Sequence, residues 1–191
     1  MAGRVHGLNT ITTPDGDERL LLVYNKKRVT LCDVDGRVDQ KNSWLASHGV
    51  FGKASDGHFS PQSSHLGIYD GYASNILHEL HLNDGTLVGH SHGGKGKAPG
   101  KTSTAHGVGV DHKGRYVIAD RGNQRLLWLD PEFKPIAPKG EPAGQLELKL
   151  PGLEVCNVSF SKEGIAVVPC LNAKLAILKA SAREECGYEL A

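Results

Sequence analysis

Histidine and cysteine carry most of the chemistry that this sequence offers, with 10 His and 4 Cys in 191 residues. Two His-Gly pairs, His6-Gly7 and His106-Gly107, recur in matching surroundings. Two further groups have the look of metal pairs, His78-Glu79-Leu80-His81 and His90-Ser91-His92. On a strand, residues i and i+3 face opposite sides, so His78 and His81 cannot share an ion there. His90 and His92 can face one way, but they sit in a Gly-rich stretch beside Lys95 and Lys97 that reads as a solvated loop. Cys32, Cys156, Cys170 and Cys186 show no C-x-x-C spacing and are too few and scattered for a disulfide framework or a zinc knuckle. They are expected to be free thiols. No Gly-x-Ser-x-Gly elbow is present, and Gly93-Gly94-Lys95-Gly96-Lys97 lacks the spacing and the Ser/Thr of a phosphate loop.

The elements that position these side chains are strands. The 24 glycines against a single Met favour many tight turns over long helices. Four segments read alike: residues 6–38, 60–88, 106–136 and 156–180. Each holds short apolar strands separated by polar turns. Arg115–Ala119 and Arg125–Leu129 are rich in β-branched, leucine and aromatic residues. Asp35-Gly36, Asp84-Gly85 and Gly122-Asn123 supply turn residues that tolerate positive φ. Asn25, Asp70, Asp120 and Cys170 are assigned to one column, at spacings of 45, 50 and 50 residues. Only Lys179–Cys186 offers a weak helical pattern.

A strand-rich period of 40–50 residues is the mark of a β-propeller. The expected fold is therefore all-β, a single domain over residues 1–191. It holds about four blades of four-stranded antiparallel sheet, at about 6–45, 55–90, 103–138 and 150–180. Copy two reads as short, because Pro61 to Asp70 has no room for a first strand and its turn. Gly89–Lys101 and Pro138–Pro151 read as inter-blade loops. Whether four blades close, or copies associate between chains, is left open.

His106–Asp130, HGVGVDHKGRYVIADRGNQRLLWLD, resembles an NHL repeat through His-Gly before a strand, Lys-Gly at the turn and Ala-Asp-Arg-Gly-Asn-Gln-Arg before the next strand. With Asp70-Gly71-Tyr72-Ala73-Ser74-Asn75 it is similar to the lyase half of peptidylglycine α-amidating enzymes and to related bacterial six-bladed propellers. The resemblance implies a zinc-dependent lyase acting on an α-hydroxyglycine-like or other small hydroxylated substrate. It matches His6 and His106 to two metal ligands, Tyr72 to the catalytic tyrosine and Arg121 to an active-site arginine. The third histidine of that family belongs to a later copy, and Cys156 stands in the ligand column of copy four, with Gln62 in copy two. Zinc favours imidazole and thiolate and keeps an open position when catalytic. The resemblance also admits calcium. In such a site Tyr72 takes a hydroxyl proton and Arg121 holds a carboxylate in its fork of donors.

Each residue has a structural reading beside the functional one. His6 and His106 can cap inner strand ends, and Tyr72 can be a half-buried strand-end tyrosine. Arg121 can pair with Asp120 or a carbonyl of the next blade, and Cys156 can be a small buried hydrophobe. Asp70 and Asp120 are expected to hold their hairpins by accepting turn amides. The rival function is a non-catalytic propeller that presents its loops to a protein partner.

Charge and hydropathy bound the partners. With 22 Lys+Arg against 21 Asp+Glu the net charge is +1, and aromatics are 6% and not interleaved with the basic Lys95, Lys97 and Lys101. A nucleic-acid partner is not expected. No stretch approaches the ~18–20 apolar residues that span a bilayer, so no membrane partner is expected either. Residues 1–10 lack the apolar core of a secretory signal, which leans the expectation toward the cytoplasm. Expected partners are a small-molecule or peptide substrate or a protein, with self-association open.

Overall fold

The structure, a computed structural model, describes residues 4–45, 50–140, 144–171, 173–182 and 186–191, with 38–45 and 90–91 described as backbone alone. The described chain is all-β. Its single helical element is a three-residue 3-10 turn, Arg121–Asn123. Among the described residues no helix is long and apolar enough to cross a membrane. Sixteen strands form four antiparallel four-stranded sheets. Blade one is β1 (Val5–Thr12), β2 (Glu18–Tyr24), β3 (Arg28–Asp33) and β4 (Val38–Leu45). Blade two is β5 (Asp56–Ser60), β6 (His65–Tyr69), β7 (Ile76–His81) and β8 (Leu87–Gly93). Blade three is β9 (Ala105–Val110), β10 (Tyr116–Asp120), β11 (Arg125–Leu129) and β12 (Glu147–Lys149). Blade four is β13 (Ser159–Phe160), β14 (Ile165–Pro169), β15 (Leu175–Ala180) and β16 (Tyr188–Leu190). In every blade, neighbours in sequence are neighbours in the sheet.

The chain divides into two compact units, Met1–Gly94 and Lys95–Ala191. Each holds two blades packed through one apolar core. In the first unit Ile11, Leu21, Val23, Val29 and Leu31 of blade one meet Phe59, Leu66, Ile68 and Leu80 of blade two, with Phe51 and Ala54 beside them. In the second, Val117, Ala119, Leu126 and Trp128 of blade three meet Ala166, Val168, Ala176 and Leu178 of blade four, with Tyr188. On β2, β3, β6, β10, β11, β14 and β15 alternate residues point into the core, as a pleated strand requires.

The first hairpins show why copy two reads as short. Blades one, three and four turn through Gly16, Gly114 and Gly164, all at positive φ. Blade two turns through Ser64, a non-glycine held at φ 58°, so its turn carries no glycine signal. Its first strand is complete but lies upstream of Pro61, at Asp56–Ser60.

Three other expectations are corrected. Asp120 pairs in register with Ala105, and Tyr24 pairs in the same way with Val5, so Tyr24 rather than Asn25 shares the Asp120 column. Gly89–Gly93 belongs to β8 and Glu147–Lys149 is β12, so both expected loops are part strand. Lys179 and Ala180 end β15 rather than opening a helix, and residues 183–185 lie outside the described ones.

Candidate functional site

The site residues sit where β1 and β9 begin. In both strands the ladder slips by one residue, between Val5 and Gly7 and between Ala105 and Gly107. The extra residues are His6 and His106. A bulge re-aims the side chain it carries, and here both imidazoles turn toward the next blade of their own unit. His6 Nδ1 lies 2.7 Å from the Ser55 carbonyl oxygen, and His106 Nδ1 lies 2.8 Å from that of Cys156. A carbonyl only accepts, so Nδ1 carries the proton in each ring, an assignment made from its partner.

The glycine after each histidine admits the neighbouring backbone. A Cβ on Gly7 would lie 2.9 Å from Asp56 Cα, and one on Gly107 would lie 2.7 Å from Asn157 Cα. The Asp56 and Asn157 side chains accept the next backbone N–H, of Gly57 and Val158. Both units therefore build the blade joint from His-Gly on one side and a short acid or amide on the other. Ser55, one residue before Asp56, shares the column of His6, His106 and Cys156. Gln62, placed there from sequence, lies in the turn after β5.

Tyr72 comes to His6 within the first unit. Its hydroxyl is 3.1 Å from His6 Nε2, and the two rings meet edge to face at 5.1 Å. Since Nδ1 is the N–H nitrogen, Nε2 accepts from the phenol. Lys53 Nζ lies 5.2 Å from the centre of the Tyr72 ring. Both His6 and Tyr72 are half-buried, so the pair is fixed on one side and reachable from the other.

Asp70 holds the loop that carries Tyr72 and Lys53. Its Oδ1 accepts the Lys53 N–H at 2.5 Å, and its Oδ2 accepts the Ser74 N–H and hydroxyl at 3.0 and 2.8 Å. Burial alone would raise this carboxyl, but the hydrogen bonds from Lys53, Ser74 and Gly52 hold it below the usual range. Asp120 does the same for the second unit, accepting the Ser103 N–H at 2.7 Å. Its other oxygen accepts from Asn123 Nδ2 at 2.7 Å and Arg125 Nε at 2.8 Å. Arg125, a residue the sequence reading passed over, makes the buried pair with Asp120 and reaches Glu147 too. Burial wins at Asp120 and pushes its carboxyl up, against the pull of Ser103, Asn123 and Arg125.

Arg121 opens the 3-10 turn of the second unit, half-buried, with its backbone N–H on the Thr104 carbonyl. Cys156 meets His106 through its carbonyl, while its thiol lies 3.6 Å from the Glu154 carbonyl oxygen. Cys32, Cys170 and Cys186 are buried, and none of the four cysteines forms a disulfide. His6 and Tyr72 are thus brought together in one unit, and His106 and Cys156 in the other.

His65, His81 and His92 form, with Glu79, a cluster that linear spacing hides. Glu79, nearly buried, accepts from His65 Nδ1 at 3.1 Å and His92 Nε2 at 2.9 Å. His81 meets the His65 ring, while His78 meets Phe51 on the other face of β7. The side chain of His90 lies outside the described residues.

A zinc ion on His6 would need Nε2, the nitrogen that meets Tyr72. Among the described residues no three His, Cys, Asp or Glu side chains gather as a metal centre requires.

Four-stranded antiparallel meanders, stacked in pairs and jointed at the first strand within each unit, make the fold a β-propeller of four blades. No family model and no curated relative matches it. Solved structures do. A Bacteroides caccae protein of unknown function superposes with a TM-score of 0.59 at 14% identity, covering 98% of this chain and 59% of that one. Virginiamycin B lyase from Staphylococcus aureus gives 0.62 at 11%, covering 97% and 54%. Dihydro-heme d1 dehydrogenase NirN gives 0.58 at 16%, covering 97% and 36%. At these identities the likeness is one of fold, and the chain spans 36 to 59% of the length of these three.

Proposed function

We propose that the first unit carries a proton-transfer site of lyase type, in which His6 and Tyr72 remove the proton of a substrate hydroxyl. The observation that carries this reading is the 3.1 Å contact between His6 Nε2 and the Tyr72 hydroxyl. With Nδ1–H held on the Ser55 carbonyl, Nε2 has a lone pair. The imidazole accepts the phenol proton as the phenol oxygen takes that of the substrate. The resemblance to amidating lyases supplies the substrate class, an N-acyl-α-hydroxyglycine. Its O–H proton leaves, the C–O bond becomes a carbonyl, the C–N bond breaks, and the amide nitrogen takes a proton. The products are a glyoxylate and a primary amide, and no oxidant is consumed. Support from the neighbours is limited to one propeller among them being a lyase.

Arg121 as carboxylate fork, and His6, His106 and Cys156 as zinc ligands, rest on the resemblance alone, as does calcium. Metal analysis of the purified chain tests the ligand set, and a stoichiometric zinc content would support it. The test of the lyase reading is glyoxylate release from an N-acyl-α-hydroxyglycine. Tyr72→Phe should slow it by about 10²–10⁴-fold while leaving the melting temperature near that of the parent. A parent chain with no turnover, with or without added zinc, would sink it.

A second reading has its own observation. His106 makes the same carbonyl bond as His6, so the His-Gly pair serves the blade joint in both units. That favours a non-catalytic scaffold which holds a protein partner through its loops. A parent chain without turnover, in which His6→Ala and His106→Ala lower the melting temperature alike, would leave this reading ahead.

A further inference from the structure

The two units share one loop scaffold and differ in the side chains it carries. Asp70 binds the Lys53 N–H and Asp120 binds the Ser103 N–H, each 17 residues back. Two residues after each carboxylate the chain returns to the same place. The Tyr72 N–H donates to the Lys53 carbonyl at 3.3 Å, and the Gly122 N–H to the Ser103 carbonyl at 2.7 Å. Tyr72 therefore corresponds to Gly122, and Lys53 to Ser103. In the second unit the loop closes tightly over its glycine, where a Cβ would lie 2.5 Å from Ser103 Oγ and 2.7 Å from the Ser103 carbonyl oxygen. The scaffold thus needs neither a phenol nor an ammonium. The first unit adds both, side by side, next to a histidine of the kind both units carry. Lys53 is exposed, and its Nζ stands 5.2 Å from the centre of the Tyr72 ring, within the ~6 Å of a cation–π contact. Among the described residues no carboxylate pairs with it. The place of Arg121, one after Asp120, is Gly71 in the first unit, so the cation at Tyr72 is Lys53.

We propose that Lys53 is the anion-binding residue of the His6–Tyr72 site, its ammonium holding a carboxylate on the carbon next to the hydroxyl that Tyr72 deprotonates. The inference rests on the proton-transfer reading of that pair and adds to it the residue that selects the substrate. The root of the lysine is fixed on both sides, its N–H on Asp70 and its carbonyl on the Tyr72 N–H. Beyond that root the stem is flexible and ends in a compact point charge, so it follows a carboxylate without a set fork geometry. The ring face is a weak partner at an exposed position. A carboxylate, through charge-assisted hydrogen bonds, is a stronger one. On adjacent carbons, a hydroxyl and a carboxylate are close enough for one molecule to meet the phenol oxygen and the ammonium together. One positive charge beside one proton-accepting pair matches a monoanion of that kind, an α-hydroxy acid. The roles then divide: His6 takes the proton, Tyr72 relays it, and Lys53 holds the anionic end.

Two measurements on the full chain test this. The first is selectivity, the kcat/KM for an N-acyl-α-hydroxyglycine over that for its amide, whose carboxylate is replaced by a neutral group. Lys53→Gln should lower this ratio about tenfold, the lower end for a hydrogen bond to a charged group, and Lys53→Arg should restore most of it. A merely structural role would lower both substrates together and leave the ratio as it was, which overturns the proposal. The second measurement needs no turnover. N-acetylglycine has the carboxylate but no hydroxyl to lose. In an NMR titration the parent should bind it about tenfold more tightly than Lys53→Gln does, with N-acetylglycinamide as the neutral control. No binding by the parent, or equal binding by the two, overturns the proposal. The two readings fail separately. A chain that binds N-acetylglycine through Lys53 yet releases no glyoxylate upholds the anion site and sinks the lyase reading. A chain that releases glyoxylate with an unchanged ratio does the reverse.

Discussion

In the first unit Asn9 reaches across the joint, its amide donating to Asp56 Oδ1 at 2.8 Å and to the Gly57 carbonyl at 2.9 Å. At the same register position the second unit has Gly109, where a Cβ would lie 2.4 Å from the Val158 carbonyl oxygen. One joint is bridged by a side chain, and the other is closed by bringing backbones together. The carboxylates behind the joints differ in the same spirit. Asp70 is satisfied entirely by nearby amides and a hydroxyl, whereas Asp120 also carries a buried guanidinium. One architecture thus tolerates two local solutions. What is common to both, the bulged histidine on a carbonyl and the glycine after it, is what the joint requires.

The largest expected effect breaks the carboxylate comparison. Asp120→Ala strands the Arg125 side chain, 6% exposed, with Glu147 as its remaining carboxylate, and should cost about 3–5 kcal/mol of unfolding free energy. Asp70→Ala leaves amides and a hydroxyl without an acceptor and should cost about 1–3 kcal/mol. Denaturant unfolding of the two variants measures the gap. Equal losses would mean that Arg125 adds nothing.

The joints themselves come next. Gly109→Ala must push against backbone at Val158 and should cost about 1–3 kcal/mol. Asn9→Ala removes two hydrogen bonds but meets no wall, and should cost about 1–2 kcal/mol. Hydrogen exchange should place the first loss in the second unit and the second in the first.

Acid gives the smallest effect and the sharpest sign. Asp70 is held below its ordinary value of 3.8 by its hydrogen bonds. It therefore contributes stability above that value, lost as pH falls through the lower folded-state value. Asp120 is raised above 3.8 by burial. The folded state then holds its proton more tightly than the unfolded state, so stability from this group falls as pH rises through the interval above 3.8. Between about pH 5 and 2.5, exchange protection corrected for intrinsic rate should drop more in the first unit than in the second. Parallel loss in both would contradict the assignment.

Much of this was readable from residue order, and the misses have physical causes. The 45–50 residue period and the strand-rich copies led to four blades because turn glycines such as Gly36, Gly85 and Gly114, all at positive φ, separate their strands. Blade two escaped because Ser64 does the same work without the signal. The Asn25 column slipped by one because β1 and β2 are each longer than β9 and β10, and nothing in the residue order marks where the extra length sits. His6 and His106 were singled out, but their shared carbonyl bond spans 49 and 50 residues. The triad of Glu79 with His65 and His92 joins three strands of one blade. Period-two reasoning separated His78 from His81, yet nothing in linear spacing reveals which carboxylate sits between histidines of different strands.

The straps made by Asp70 and Asp120 bear on how the chain reaches this state. Each reaches back 17 residues, to Lys53 and Ser103, and each sheet pairs strands in strict sequence order. Every ladder can therefore close over short loops, at small entropic cost, before any joint forms. The joints, with contacts some 50 residues apart, can then assemble from finished sheets. Kinetically, the strap is a latch that lets one blade mature while its neighbour is still coil, and a strapless variant should fold late rather than wrongly.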